Sequence, residues 1–229
     1  MNNLKQGFTL AEVLITLVII GVIAAITIPS LMNKTNEQEY VVGAKKTYSV
    51  LSQAFQKIIA ENGDITPSLF GSSPAEATKN FGDMLAKQLN VQKICGVSTD
   101  EDCFAKGFYK KMDGSDYSNW NETTYYKMRL SDGTSLAVRV LSEYSERGTS
   151  EPLKYVIGYG HFDVNGDKAP NTHGIDTFPV WITKYGFVPF GTPFDNEKPF
   201  SDCKTNGDPC AAWVLTKGNM DYLHKDVSW

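Results

Sequence analysis

The feature that most constrains this chain is an apolar stretch close to its N-terminus. Between positions 13 and 28 there is no charged residue, and the only polar side chains are two threonines. Extended to Phe8–Leu31, the stretch contains a single acid, Glu12. As an α-helix it is about 36 Å long, which exceeds the roughly 30 Å of a bilayer's hydrocarbon core. It therefore predicts either a membrane-spanning helix or a targeting segment.

Neither of the two ordinary kinds of segment explains this stretch completely. Lys5 supplies the basic start of a secretory signal peptide, but the apolar run is longer than usual and its far end, Ile26–Ser30, lacks small residues in a cleavage pattern. A plain signal anchor explains the length but not Glu12, because a carboxylate inside an apolar span costs about 2.5–3.5 kcal/mol on insertion scales. The acid therefore indicates a function and needs a partner.

Cleavage between Gly7 and Phe8 would provide that partner. It would remove the basic leader and create an α-amine at Phe8, four residues before Glu12. Between neighbouring helices that are staggered along an axis, the amine of one can meet the carboxylate of another. Such a pair neutralises the costly charge and fixes the stagger of the subunits.

The sequence KQGFTLAEVLI at positions 5–15 resembles the processing motif of type IV pilins and type II secretion pseudopilins. In this family a membrane peptidase cleaves after the glycine on the cytoplasmic side and N-methylates the new first residue, which is usually phenylalanine. The resemblance therefore implies cleavage at Gly7/Phe8, methylation of Phe8 and a role for Glu12 in assembly.

The helical pattern continues beyond the apolar stretch, but its character changes. Gly21 and Pro29 lie where the family often has helix-loosening residues, and a proline inside a helix removes one hydrogen bond and can kink it. Further along, apolar residues recur every three or four positions until an Asn-Gly pair at 62–63 provides a stop signal. We therefore expect one helix over Phe8–Glu61, half membrane anchor and half core element of a globular head.

The rest of the chain predicts a second helix and a small antiparallel sheet. Ser73–Glu76 has the pattern of a capping box with proline at the first helical position, so we expect a helix at about 74–90. An Asp-Gly pair at 132–133 is a hairpin signal. The expected strands are 125–130, 135–141, 153–162, 177–183 and 185–190, whereas 95–122 is rich in Gly, Asp, Ser and Asn and predicts a loop.

These patterns and the resemblance together predict an α+β, pilin-like fold in which a long N-terminal helix packs on a small antiparallel sheet. Residues 1–7 would be a leader peptide, and residues 8–31 the transmembrane and assembly helix. Residues 32–229 would be an extracytoplasmic head that includes the second half of the long helix.

The four cysteines lie in two local pairs. Cys95 and Cys103 enclose seven residues, and Cys203 and Cys210 enclose six. Two short loops are the simplest of the three possible pairings, and each would stabilise the fold by about 2–3 kcal/mol. The alternative is free, buried thiols, and neither pair has zinc-ligand spacing. Type IV pilins often carry a C-terminal disulfide loop, and Cys203–Cys210 resembles a small version.

The segment at 161–171 has the most site-like composition of the head. Asp163, Asn165 and Asp167 alternate, and Asn171 and Asp176 follow. Oxygen ligands at every second residue of a tight loop suit Ca²⁺, although the glycine positions do not fit an EF-hand. The alternative is a turn that uses Asn, Gly and Asp for their backbone conformations. Some major pseudopilins bind calcium in a C-terminal loop, but the resemblance here is one of position and residue type and not of motif, and no cofactor is required.

Nothing in the sequence indicates catalysis or nucleic-acid binding. His161, His173 and His224 have neither i,i+4 pairing nor an HExxH context, and we expect them at the surface or in turns. The nucleophile-elbow, Walker and dinucleotide-binding patterns are absent. The formal net charge of −4 is a poor match for a nucleic acid.

The sequence thus predicts a structural subunit rather than an enzyme. The resemblance implies prepilin peptidase, other pilin or pseudopilin subunits and an inner-membrane assembly platform as partners. It also implies a single-pass inner-membrane chain that later joins a periplasmic pseudopilus or a cell-surface pilus. The alternative is a membrane-anchored periplasmic enzyme or ligand-binding domain.

Overall fold

The computed structural model of the chain describes residues 9–99, 102–120 and 122–229, without the side chains of Ser30 and Asn33. Gly7 and Phe8, the predicted cleavage and methylation residues, lie outside the described residues. The chain forms two compact units, residues 1–39 and residues 40–229, which we call the first unit and the head.

A single helix, α1, covers Leu10–Asn62. It begins with a capping box: Thr9 Oγ1 accepts a hydrogen bond from the Glu12 N–H at 3.2 Å, and Glu12 Oε2 accepts one from the Thr9 N–H at 2.8 Å. It ends where the Gly63 N–H donates to the Ile59 carbonyl at 2.8 Å with a φ of 78° at the glycine. The long helix predicted from the sequence is therefore confirmed.

In the first unit, the large apolar side chains of α1 are exposed. By length and composition this helix can cross a membrane. The exposed residues are Leu10, Val13, Leu14, Ile15, Leu17, Val18, Ile19, Ile20, Val22, Ile23, Ile26, Ile28, Leu31 and Met32.

The head contains one six-stranded antiparallel sheet in which each strand pairs with the next along the chain. The strands are β1 Val91–Gly96, β2 Tyr126–Leu130, β3 Ser135–Ser145, β4 Val156–Asp163, β5 Thr177–Thr183 and β6 Gly186–Pro189. The antiparallel sheet is confirmed. However, β1 lies partly in the segment predicted as a loop, and residues 151–155, of which the last three were predicted as strand, form a 3₁₀ helix.

Short helices complete the head: α2 Pro67–Phe70, α3 Pro74–Gln88, α4 Cys203–Asn206 and α5 Cys210–Lys217, with 3₁₀ turns at Phe200–Asp202 and Asp221–Leu223. At the start of α3, Ser73 Oγ accepts from the Glu76 N–H at 3.3 Å, as predicted. The Glu76 carboxylate instead accepts from the Ser72 N–H at 3.0 Å. Only half of the predicted capping box therefore forms.

The main core of the head lies between the second half of α1, α3 and the sheet. Phe55 of α1 contacts Phe81 of α3, with ring centroids 6.3 Å apart, and Phe187 of β6 at 5.4 Å. A smaller cluster holds Phe104 stacked on Trp120 at 4.5 Å. This second cluster supports the irregular segment between β1 and β2.

Candidate functional site

The first candidate site is Glu12, near the start of the apolar segment. Its side chain is exposed, and Glu12 Oε2 accepts hydrogen bonds from both the N–H and the hydroxyl of Thr9, each at 2.8 Å. The capping box fixes the carboxylate at the helix N-terminus, where the helix dipole also favours a negative charge. The Thr-x-x-Glu spacing of residues 9–12 is a capping-box pattern, so the sequence contains the signal for this box, although it was not among the predictions.

Gly21 and Pro29, the predicted helix-loosening residues, both lie within the continuous helix α1. Gly21 has no atom within 4 Å of the position that a Cβ would occupy. A substitution at Gly21 would therefore act on backbone freedom rather than through a clash.

The second candidate site is the oxygen-rich loop that follows β4. Asp163 is buried and accepts hydrogen bonds from the N–H groups of Asn165 at 3.0 Å and Gly166 at 2.9 Å. Its other oxygen accepts one from the Tyr109 hydroxyl at 2.6 Å. These bonds fold the loop around the carboxylate.

A second buried carboxylate, Asp176, closes the same loop by accepting from the Asn171 N–H at 2.8 Å and the Thr172 N–H at 2.7 Å. Burial and the charge of Asp176 together raise the pKa of Asp163 to about 8, and burial also raises the pKa of Asp176. The two buried carboxylates repel each other, and a proton or a cation between them would remove that repulsion.

Two amide oxygens of the same loop are also buried. Asn165 Oδ1 and Asn171 Oδ1 are both buried and, among the described residues, have no hydrogen-bond partner. Asp167, the fifth predicted ligand, is mostly exposed and forms an ion pair with Arg129, whose Nη1 donates to Asp167 Oδ2 at 2.6 Å. Four of the five predicted oxygen ligands thus have buried oxygens in this loop, whereas Asp167 is exposed and paired with Arg129.

Both local cysteine pairs are disulfides, Cys95–Cys103 and Cys203–Cys210, with Cα–Cα distances of 6.2 and 4.8 Å. Next to the first bridge, the buried Lys127 Nζ donates to the carbonyls of Trp120 at 2.6 Å and Glu122 at 3.1 Å. The bridge and this lysine hold a segment that has almost no regular secondary structure.

The prediction that the histidines lie at the surface or in turns was wrong for His161, and His173, although it lies in a loop, is not at the surface. His224 is exposed, as expected, but His161 and His173 are buried in the head. His161 belongs to β4, where six of its seven fellow strand residues are also buried. The sequence could have indicated the burial of His161, because a polar residue inside a predicted strand can point towards the interior.

Comparison with known proteins adds one finding. Residues 2–28 match the family model described as the prokaryotic N-terminal methylation motif. No curated protein and no solved structure matches the chain. The matched segment contains Gly7, Phe8 and Glu12, so the chain carries the N-terminal motif of type IV pilin-like and pseudopilin precursors, which implies processing by a prepilin peptidase.

Proposed function

We propose that this chain is a structural subunit that polymerises through α1 into a type II secretion pseudopilus or a type IV pilus. The observation that carries the proposal is the methylation motif at residues 2–28, joined to a helix whose apolar side chains are exposed throughout the first unit. The motif implies a structural protein. The helix supplies a surface that needs either a bilayer or other subunits to cover it.

In this proposal α1 has two successive environments. Before assembly it spans the inner membrane, with the head outside the cytoplasm, where the two disulfides persist. During assembly an inner-membrane platform extracts the helix, and the helices of neighbouring subunits replace lipid. Apolar surface stays out of water in both states, so extraction does not expose it.

Glu12 sets the register between subunits. After cleavage, the methylated amine of Phe8 on one subunit lies next to the Glu12 carboxylate of its neighbour and neutralises it. Because Thr9 already fixes Glu12 Oε2, the carboxylate is held in place before the partner arrives. A pre-positioned carboxylate loses little side-chain entropy when the pair forms.

The first experiment measures the intact mass of the membrane-extracted protein with and without a co-expressed prepilin peptidase. We expect the loss of residues 1–7 and the gain of one methyl group. A chain that stays unprocessed beside an active peptidase would contradict the proposal and favour an anchored periplasmic domain.

The second experiment compares Glu12→Gln with Glu39→Gln, an exposed acid on the same helix outside the apolar stretch. We expect Glu12→Gln to insert into the membrane but to form few or no fibres, because the register charge is gone. Glu39→Gln should assemble as the native chain does. Normal fibres from Glu12→Gln would refute the role of the carboxylate.

We further propose that the loop after β4 binds calcium through Asp163, Asn165, Asn171 and Asp176. Two buried carboxylates and two unpartnered amide oxygens match the preference of Ca²⁺ for several oxygen ligands. The bound ion would offset the burial of Asp163 and its repulsion with Asp176, which together raise the pKa of Asp163. It would also reduce the negative charge of heads that are packed in a fibre.

Calcium binding is tested by thermal unfolding of the full chain in detergent micelles with EGTA and with Ca²⁺. At about 100 times the Kd, calcium should stabilise the head by about 2.7 kcal/mol, which raises the Tm by several degrees. Asp163→Asn, which keeps the acceptor for the loop N–H groups, should abolish the shift. Asp167→Asn is the matched control and should keep the shift in Tm. A shift that is lost in Asp167→Asn but kept in Asp163→Asn would contradict the proposed ligands.

A further inference from the structure

A second cluster of buried polar side chains lies in the head. One potential ligand atom from each of His161, His173 and Asp208 lies within 4.8 Å of the other two. Their exposed fractions are 1%, 0% and 0%. His161 lies on β4, His173 in the loop before β5, and Asp208 between the bridged cysteines Cys203 and Cys210. The tertiary structure therefore brings together three segments that are distant in the sequence.

Asp208 orients His173. Asp208 Oδ1 lies 2.6 Å from His173 Nδ1, and its other oxygen accepts from the Tyr117 hydroxyl at 3.2 Å and from Lys198 Nζ at 3.3 Å. With the proton on Nδ1, His173 Nε2 presents a lone pair. This nitrogen is buried and has no hydrogen-bond partner among the described residues. A carboxylate that fixes an imidazole in this way is typical of metal-binding histidines.

His161 offers a second lone pair. Its Nδ1 is also buried and without a partner in the described part of the chain. Two buried, unpartnered nitrogens in one cluster are costly unless something binds them.

We propose that the imidazole nitrogens of His161 and His173, with Asp208 holding His173 in place, form a binding site for a divalent transition-metal ion of the zinc class. The two imidazole centroids are 5.4 Å apart, and two imidazoles on one tetrahedral zinc lie about 5 Å apart. Ligand atoms around such an ion are about 3.4 Å apart, so the side chains close on it by roughly 1 Å. The nitrogen ligands favour zinc over calcium.

A cavity lies on the His161 side of the cluster. His161 lines a cavity of about 240 Å³, whose wall includes Tyr117, Tyr159 and the partly exposed Lys198. Lys198 also balances the charge of Asp208, so the two imidazole nitrogens supply the ligands. Once bound, the ion links β4, the loop before β5 and the C-terminal disulfide loop.

The test uses the full chain in detergent micelles, with an affinity tag that lacks histidine, after removal of metals with EDTA. Zinc is titrated in the presence of saturating Ca²⁺, which occupies oxygen sites. We expect one zinc per chain, and Co²⁺ in its place should give the intense visible bands of a tetrahedral site. Failure of the native chain to retain zinc would overturn the proposal.

Variants identify the ligands. His161→Gln and His173→Gln should weaken zinc binding by at least about 100-fold, and Asp208→Asn by about 10–100-fold. The exposed His224→Gln is the matched control and should bind zinc normally. Unchanged affinity in either buried-histidine variant, or an equal loss in His224→Gln, would overturn the assignment.

X-ray absorption of the native zinc-loaded chain keeps the test independent of how the variants fold. Scattering from two imidazoles supports the proposal. A shell of oxygen ligands alone, or with a single imidazole, overturns it.

Discussion

The two units of this chain place apolar and charged side chains in opposite ways. In the first unit, apolar side chains are exposed along α1, and Glu12 lies among them. In the head, Phe55 and Phe81 are fully buried. The charged groups of Lys127 and Asp208 are buried as well, and each forms hydrogen bonds. The head therefore covers its apolar side chains within its own core, whereas those of the first unit need a bilayer or other subunits to cover them.

The strongest test of this difference between the two units is a matched pair of large-to-small substitutions. Phe81→Ala should lower the free energy of unfolding of the head by about 3–5 kcal/mol, because Phe81 packs against Phe55 and Phe70. Ile20→Ala, which truncates an exposed side chain, should change it by less than about 0.5 kcal/mol but lower the yield of fibres.

The measurement is urea unfolding in detergent micelles, followed by tryptophan fluorescence, since every tryptophan of the chain lies in the head. Equal destabilisation by the two variants would show that the units do not differ in this way.

The next largest effect concerns the buried charge. Lys127→Met should destabilise the head by about 3 kcal/mol, because it leaves the buried carbonyl of Trp120 without its donor and also removes the hydrogen bond to the partly buried carbonyl of Glu122. Lys93→Met is the matched control, since Lys93 is partly exposed and its ion pair with Asp102 is worth less than about 1 kcal/mol. The same urea titration measures both, and similar effects would mean that burial of Lys127 is unimportant.

The disulfides give a slightly smaller effect. Replacing Cys203 and Cys210 together by serine should lower the free energy of unfolding by about 2.5 kcal/mol, from the entropy of a short loop. The same replacement at Cys95 and Cys103 should cost a similar amount. Membrane insertion of α1 should be unaffected, which sodium carbonate extraction of membranes can check. If either double variant failed to insert, membrane insertion of α1 would depend on the disulfides of the head.

The smallest effect comes from a charge at the surface of the head. The hydrogen bond from Lys79 holds the pKa of Asp83 below its usual range, and the Tyr126 hydroxyl also donates to it. Asp83 therefore stabilises the head above about pH 4, the value in the unfolded chain, and this stabilisation is lost as the pH falls through the folded-state pKa.

Because Asp83 is partly exposed, we expect Asp83→Asn to cost less than about 1 kcal/mol at neutral pH and nothing in acid. Thermal unfolding of both proteins between about pH 7 and pH 3 measures the difference. A constant difference across this range would assign the effect to packing rather than to charge.

The elements that the sequence predicted well are those with a strong local pattern. The alternation in β3 and the Asp-Gly turn before it predicted that hairpin, and Asn62-Gly63 predicted the end of α1 to within one residue. β1 was missed because it is an edge strand, largely exposed, with two register shifts against β2, so its residues do not alternate. α5 was missed because it is short and buried around most of its circumference.

The candidate ligands show the same limit. Alternating Asp and Asn identified the loop after β4, but only the fold separated Asp167, which is exposed and pairs with Arg129, from the other four candidate residues, whose oxygens are buried. A local pattern lists the side chains that are near in sequence. It does not say which of them turn inwards.

By itself, the sequence determined the apolar helix, the acid within it and the processing motif, because each depends on residues that are neighbours along the chain. Only the tertiary structure decided that His161, His173 and Asp208 meet. Their positions follow from the register of β4 and from the way the C-terminal disulfide loop packs against the loop before β5. Contacts between distant segments are set by the packing of the whole head, and no local pattern of residues contains that information.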